Sequence, residues 1–163
     1  MHERKGFTLI EILVVVAIIG VLAAIISVAV GSIRTKARDT VRKADITQMG
    51  KILSISCYLP TGGGGEYDLA DLFAELQTTY PQLAQLYKRI PHDPGPGTDT
   101  ETYYRYVVND EGTLCALYAN LENDDESVTL TTITTPTAGG GSGVFEAASD
   151  GWNRSPKYFQ ISN

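Results

Sequence analysis

The sequence predicts an α+β fold, with one long N-terminal α-helix packed on a small antiparallel β-sheet head. Three observations carry this. No proline interrupts residues 7–56, so nothing forces a break in a helix of that length. Pro60 and the run Gly62–Gly65 then end the helical pattern, because four glycines cannot sustain it. Beyond residue 100 the spacing changes to alternating aromatic and β-branched residues separated by turn residues, as in strands.

The stem comes first. Residues 1–6 are a short charged tail, residues 7–30 an apolar run, residues 31–57 a helix of mixed character, and residues 58–163 a head. Fifty residues of helix would reach roughly 75 Å at 1.5 Å per residue. The apolar half is long enough to cross a bilayer, which takes about 20 residues. Ala17, Gly20, Ala23, Ala24 and Ser27 permit close helix approach there. In the second half, Ile33, Ala37, Val41, Ala44, Gln48, Ile52 and Ile55 form one stripe. Ile46, Met49, Leu53 and Cys57 form another, turned away from the first. Two stripes suggest two partners, the chain's own head and neighbouring stems. The plainer alternative is one wide face buried within a monomer.

The head follows. Asp68 is placed to cap a short helix bearing Leu69, Leu72, Phe73 and Leu76, with Asp71 in its first turn. Leu83, Leu86 and Tyr87 mark a further turn or two. Pro91, Pro94 and Pro96 with Gly95 and Gly97 make a loop. Tyr103–Val108 and Thr113–Leu121, joined by Asn109–Gly112, read as a β-hairpin. Ser127–Thr135 reads as a third strand, Ala138–Gly143 as a loop, and Lys157–Ile161 as a short last strand. Cys115 alternates in phase with Leu117 and Ala119 and should face the core. A Cys57–Cys115 bridge would staple sheet to stem; two buried free thiols are the alternative.

One residue in the apolar run stands out. Glu11 is its only acid, and a carboxylate in a bilayer costs roughly 2.5–3.5 kcal/mol on insertion scales, so it is rarely kept without a partner. It stands in Gly6-Phe7-Thr8-Leu9-Ile10-Glu11, after a charged leader and before more apolar residues. This segment resembles the processing site of type IV pilins and type II secretion pseudopilins. The resemblance is strongest over residues 6–30. It implies a long helical stem on a small antiparallel sheet, with cleavage after Gly6 by prepilin peptidase and methylation of the new Phe7 amine. That amine, with a pKa of about 8, would be largely cationic at neutral pH. It could then neutralise Glu11 of an adjacent copy. The implied product is a homo-oligomeric filament, held in membrane lipid before assembly and built by pilus or secretion machinery. The chain departs from many members by carrying Val28 where they have a proline. It also lacks the cysteine pair that often closes a C-terminal loop.

Charge is unevenly spread. Residues 1–51 hold 8 basic and 4 acidic side chains, net +4, and residues 52–163 hold 5 and 15, net −10. Stem and head of stacked subunits could therefore attract one another. Basic residues after the span (Arg34, Lys36, Arg38, Arg42, Lys43) outnumber Arg4 and Lys5 before it. By that count alone the head would stay in the cytoplasm. The leader motif and the two cysteines argue instead for a single-pass protein of the inner membrane with its head outside. The assembled form would then lie in the periplasm or at the cell surface. No basic cluster in the head is interleaved with aromatics, so nucleic-acid binding is not indicated.

The remaining signals are weaker. Glu122-Asn123-Asp124-Asp125-Glu126-Ser127 is an acidic loop rich in oxygen donors. It offers a calcium site through Glu122, Asp124, Asp125 and Ser127, though a solvated turn explains it as well. His92-Asp93 has no nucleophile or metal set beside it, so no enzyme activity and no other cofactor are expected. Tyr104 and Tyr106 read as ordinary packing. The functional readings are thus a pilus-like filament subunit, a major pseudopilin of type II secretion, or an anchored extracytoplasmic binding module that never assembles.

Overall fold

The computed structural model describes residues 7–53, 56–83 and 90–163, apart from the side chains at 27–29, 52–53 and 83. Gly6 and the rest of the leader lie outside the described residues. So do the side chains of Ile52, Leu53, Ile55, Leu83, Leu86 and Tyr87. The chain forms two compact units, Met1–Thr35 and Lys36–Asn163. A single helix, α1 (Leu9–Leu53), contributes to both.

In the first unit, α1 is exposed on every side from Leu9 to Ile26. It is long and apolar enough to cross a membrane. With no polar face over these residues, water is the wrong solvent for this stretch.

In the second unit, α1 presents Asp39, Arg42, Ile46, Met49 and Gly50 as one buried face. These positions are three and four residues apart and so share a side of the helix. The sheet is five-stranded and fully antiparallel: β1 (Gly65–Asp68), β2 (Arg105–Val108), β3 (Cys115–Asn120), β4 (Gly143–Glu146) and β5 (Lys157–Ser162) lie in the order β1-β2-β3-β5-β4. Ile46 and Met49 join Tyr106, Val108, Cys115, Leu117 and Ala119 in one core, with Phe159 and Ile161 against it. Gly50 lets the backbones approach closely. A Cβ placed there would lie 2.6 Å from Ile161 Cγ2.

Helix α2 (Leu69–Thr79) starts where Asp68 Oδ1 accepts from the Ala70 amide at 2.9 Å, and it buries Leu69, Leu72, Phe73 and Leu76. This matches the capped helix read from the sequence. The hairpin pairs as expected, Val108 opposite Cys115 and Arg105 opposite Tyr118.

Three readings need correction. Ser127–Thr135 forms no strand. Only the amides of Thr129 and Leu130 reach Val144 O, and the Val144 amide returns to Thr129 Oγ at 2.9 Å. The segment bends at Thr132, Thr134 and Thr135 and lies against the outer edge of β4, so its β-branched residues never enter a ladder. The strand it lies against is β4, which begins at Gly143, the end of the predicted glycine loop, and pairs with β5. Likewise β1 begins at Gly65, inside the predicted turn. α1 itself ends at Leu53, so Ser56 and Cys57, expected on the helix, lie outside it, and Gly65 starts an edge strand.

Candidate functional site

The N-terminal site is local and simple. Glu11 Oε2 accepts from the Thr8 amide at 2.7 Å and from the Thr8 hydroxyl at 2.8 Å, and the Glu11 amide donates to Thr8 Oγ at 3.3 Å. This is a capping box, Thr at the N-cap and Glu three residues on, each serving the other's backbone. The Glu11 carboxylate thus already has donors within its own first turn. Phe7 is 85% exposed beside it.

The second surface is the outer side of α1 in the head unit. Ala37, Val41, Ala44 and Gln48 are all exposed, Val41 at 47%. They are spaced four, three and four apart and so line one side of the helix, away from the buried face.

Beneath the buried face lies a charged fastening. Arg42 is fully buried. Its Nε and Nη2 donate to Asp93 at 2.9 and 2.6 Å, Nη1 to Asp39 at 2.7 Å, and Nη2 also to Glu122 at 2.5 Å. Asp39 further accepts from the amides of Glu122 and Asn123, both at 2.9 Å. Asp93 accepts from Gly95 N, Asn153 Nδ2 and Trp152 Nε1. One guanidinium thus ties α1 to two separate head segments, those of Asp93 and Glu122. Burial works against its charge, but the hydrogen bonds to Asp93, Glu122 and Asp39 outweigh this and hold Arg42 above its ordinary range. Arg38 pairs with Glu122 at the edge of the cluster, and hydrogen bonds from Arg38 and then Arg42 hold the Glu122 carboxyl below the usual range. Lys43 does the same for Glu126. Next to the cluster, burial pushes the Asp45 carboxyl up even though Tyr104 donates to it at 2.9 Å.

One comparison with known proteins falls on the N-terminal segment. Residues 1–33 match the prokaryotic N-terminal methylation motif. The chain is also similar to type II secretion system core protein G of Pseudomonas aeruginosa, 45% identical over 54 residues. That match covers 33% of this chain and 38% of the relative's length. Both similarities are to type IV pilins and pseudopilins or their processing motif, and together they support that family for the matched part of the chain. No solved structure matches it. For a pilin-like chain the long helix on an antiparallel sheet is the expected layout, and it is present.

The other residues singled out from the sequence are placed as follows. Cys57 and Cys115 are joined by a disulfide, with Cα atoms 5.7 Å apart, closing a separation of 58 residues. It pins the chain just beyond α1 to the inner face of β3. In the acidic loop, Glu122 and Glu126 point to stem cations rather than to each other, while Asp124, Asp125 and Ser127 are exposed. Among the described residues no three His, Cys, Asp or Glu side chains are grouped to hold a metal. His92 lines an open cleft of about 290 Å³ with Asp45, Gln48, Met49, Ile90 and Pro91. The sequence reading missed Arg42 and Asp93 as partners. The available signal was spacing, since Arg42 stands four residues before Ile46 on the stripe that packs on the head.

Proposed function

We propose that this chain is a structural subunit of a type IV pilus-like filament, made as a precursor and anchored by residues 7–30 with its head outside the cytoplasmic membrane. Prepilin peptidase cuts between Gly6 and Phe7, and methylation follows on the Phe7 amine. Subunits then leave the bilayer and bundle through their stems. Glu11 exchanges its intrachain donors on Thr8 for the Phe7 amine of a neighbour, a cation in place of a neutral amide and hydroxyl.

The observation that carries this reading is the stem's unused face. One side of α1 is already occupied by the head, yet Ala37, Val41, Ala44 and Gln48 remain exposed on the other. A single anchored monomer has no use for that strip. A Val41→Arg chain should insert, fold and form its disulfide as the wild type does, but shed no filaments in the sheared cell fraction. Filaments at wild-type yield would remove the strip from the assembly contact. Glu11→Gln should likewise spare insertion and stop polymerisation. If the Glu11→Gln chain polymerises, the amine pairing fails.

A second reading is favoured by the named relative. The chain would then build a short secretion pseudopilus rather than a long surface pilus. Electron microscopy of sheared fractions separates the two, since long fibres mean a pilus. Their absence, together with loss of protein export in a deletion strain, means a pseudopilus.

A further inference from the structure

Two features of the head converge on one place. Tyr103 (φ 59°) and Arg154 (φ 62°) are the described non-glycine residues with left-handed backbone. Such conformations cost about 1–3 kcal/mol and persist where the surroundings enforce them. Both flank Trp152. The rings of Tyr103 and Trp152 are 6.0 Å apart, and Trp152 also meets Tyr118 at 6.2 Å and Tyr158 at 5.7 Å. Phe145 stacks on Tyr158 at 5.4 Å. By strand alternation, Tyr118, Tyr158 and Phe145 lie on the face of the sheet opposite the core that Ile46 and Met49 complete.

The turn that displays Trp152 is fixed from several sides. Gly151 N donates to Ser155 O, and Arg154 N donates to Gly151 O. Asn153 N donates to Asn120 Oδ1 at 2.6 Å, and Asn153 Nδ2 to Asn120 O and to Asp93, both at 2.8 Å. Tyr103 is fixed too, because its amide and that of Thr102 both donate to Asp68. Rigid, partly exposed aromatics lose little entropy on binding, and Trp, Tyr and Arg dominate binding surfaces for that reason.

The charge of the patch narrows the occupant. Among the described basic side chains of the head, Arg105 meets Asp68 and Glu101, and Lys157 meets Glu146. Arg154 is exposed, and no carboxylate among the described residues meets it. Asp150 beside the turn offsets its charge at long range, so a polyanion gains little here without contact to the rings. A ligand must therefore bring both a flat apolar face and a carboxylate. We propose that the Tyr103–Trp152–Tyr158 face with Arg154 is a docking surface for an acidic polysaccharide. Pyranose C–H faces stack on the rings, and a uronate carboxylate takes the guanidinium fork.

The test uses the full chain in detergent micelles, titrated with polygalacturonate, neutral dextran and polyglutamate. Polygalacturonate should bind, dextran should not, and Arg154→Gln should weaken binding about tenfold, the loss of one charged hydrogen-bonded pair. Trp152→Phe should weaken it less, and Arg154→Gln should leave the thermal midpoint and the Cys57–Cys115 bridge unchanged. Three results overturn the proposal: no binding of polygalacturonate, binding indifferent to Arg154→Gln, or equal binding of dextran. Equal binding of polyglutamate also overturns it and assigns the face to an acidic protein partner.

Discussion

The two halves of α1 solve the same problem in opposite ways. Each sets a charge among apolar neighbours, the first within an apolar run and the second on the buried face that carries Ile46 and Met49. In the first half, Glu11 is met by the backbone amide and hydroxyl of Thr8, three residues away. In the second half, Arg42 is met by Asp93 and Glu122, 51 and 80 residues away, as well as by Asp39. A locally capped charge can change partners without disturbing any fold. A charge that ties down two head segments cannot. One half of the helix is therefore built to exchange contacts and the other to keep them.

The sharpest way to break this contrast is to remove each charge in turn. Arg42→Met strands Asp93, which is fully buried, and Asp39, which is 2% exposed. Breaking a buried pair by deleting one partner costs about 3–5 kcal/mol, enough to unfold a marginal domain. Chemical denaturation of the head should register this loss, while membrane insertion continues. Glu11→Ala should leave the head's denaturation midpoint where it was. If both variants destabilise the head alike, the division of labour is wrong.

The disulfide comes next in size. Replacing Cys57 and Cys115 together with serine opens a loop whose ends are 58 residues apart in sequence. The expected cost is about 2–4 kcal/mol, read as a lower denaturation midpoint. Reducing agent should produce the same shift in the wild type and none in the variant. An equal response in both would mean that the bridge does not hold the native head.

Glycines sharpen the comparison at a smaller scale. Gly20 has open space around it, and a Cβ there meets nothing within 4 Å. At Gly50 a Cβ would meet both Cγ2 and Cβ of Ile161, at 2.6 and 2.9 Å. Ile161 is β-branched and stiff on its strand, so it cannot swing aside. Alanine gains about 1 kcal/mol of helix propensity at either position. At Gly50 overpacking of about 1–3 kcal/mol opposes that gain. Gly50→Ala should thus lower head stability, and Gly20→Ala should not.

How much of this was legible follows from the range of each interaction. The stem, its membrane half, the Asp68 cap and the hairpin are local patterns, and their residues lie within a few positions of one another. The stripe through Ile46 and Met49 was legible, but the sequence did not say whether it or the Val41 stripe meets the head. What stayed hidden was long-range. Asp93 looked like a turn residue because its partner is 51 positions away. Ser127–Thr135 looked like a strand because its composition suits one, but pairing depends on a free sheet edge, and Gly143–Glu146 occupies it. A sequence states what a segment can do and is silent on which competitor arrives first.

The smallest effect concerns acid. Glu122 and Glu126 are held below the ordinary carboxylate range, chiefly by Arg38 and Lys43 respectively. A carboxyl depressed in the folded state stabilises it at pH above the unfolded value of about 4.3. Below that value the unfolded chain binds protons first, so stability falls until the folded carboxyls titrate as well. The head should lose stability as pH drops from about 5 into the range below 4. Glu122→Gln should start less stable at pH 7 and show a flatter fall. The Lys43–Glu126 pair is partly exposed and contributes only about 0–1 kcal/mol, so Glu126→Gln should barely alter the curve. A thermal midpoint measured from pH 7 to pH 3 for all three chains decides it. Parallel curves would place the acid sensitivity elsewhere, and a steeper fall for Glu126→Gln than for Glu122→Gln would mean that the exposed pair, not the edge of the buried cluster, holds the loop to the stem.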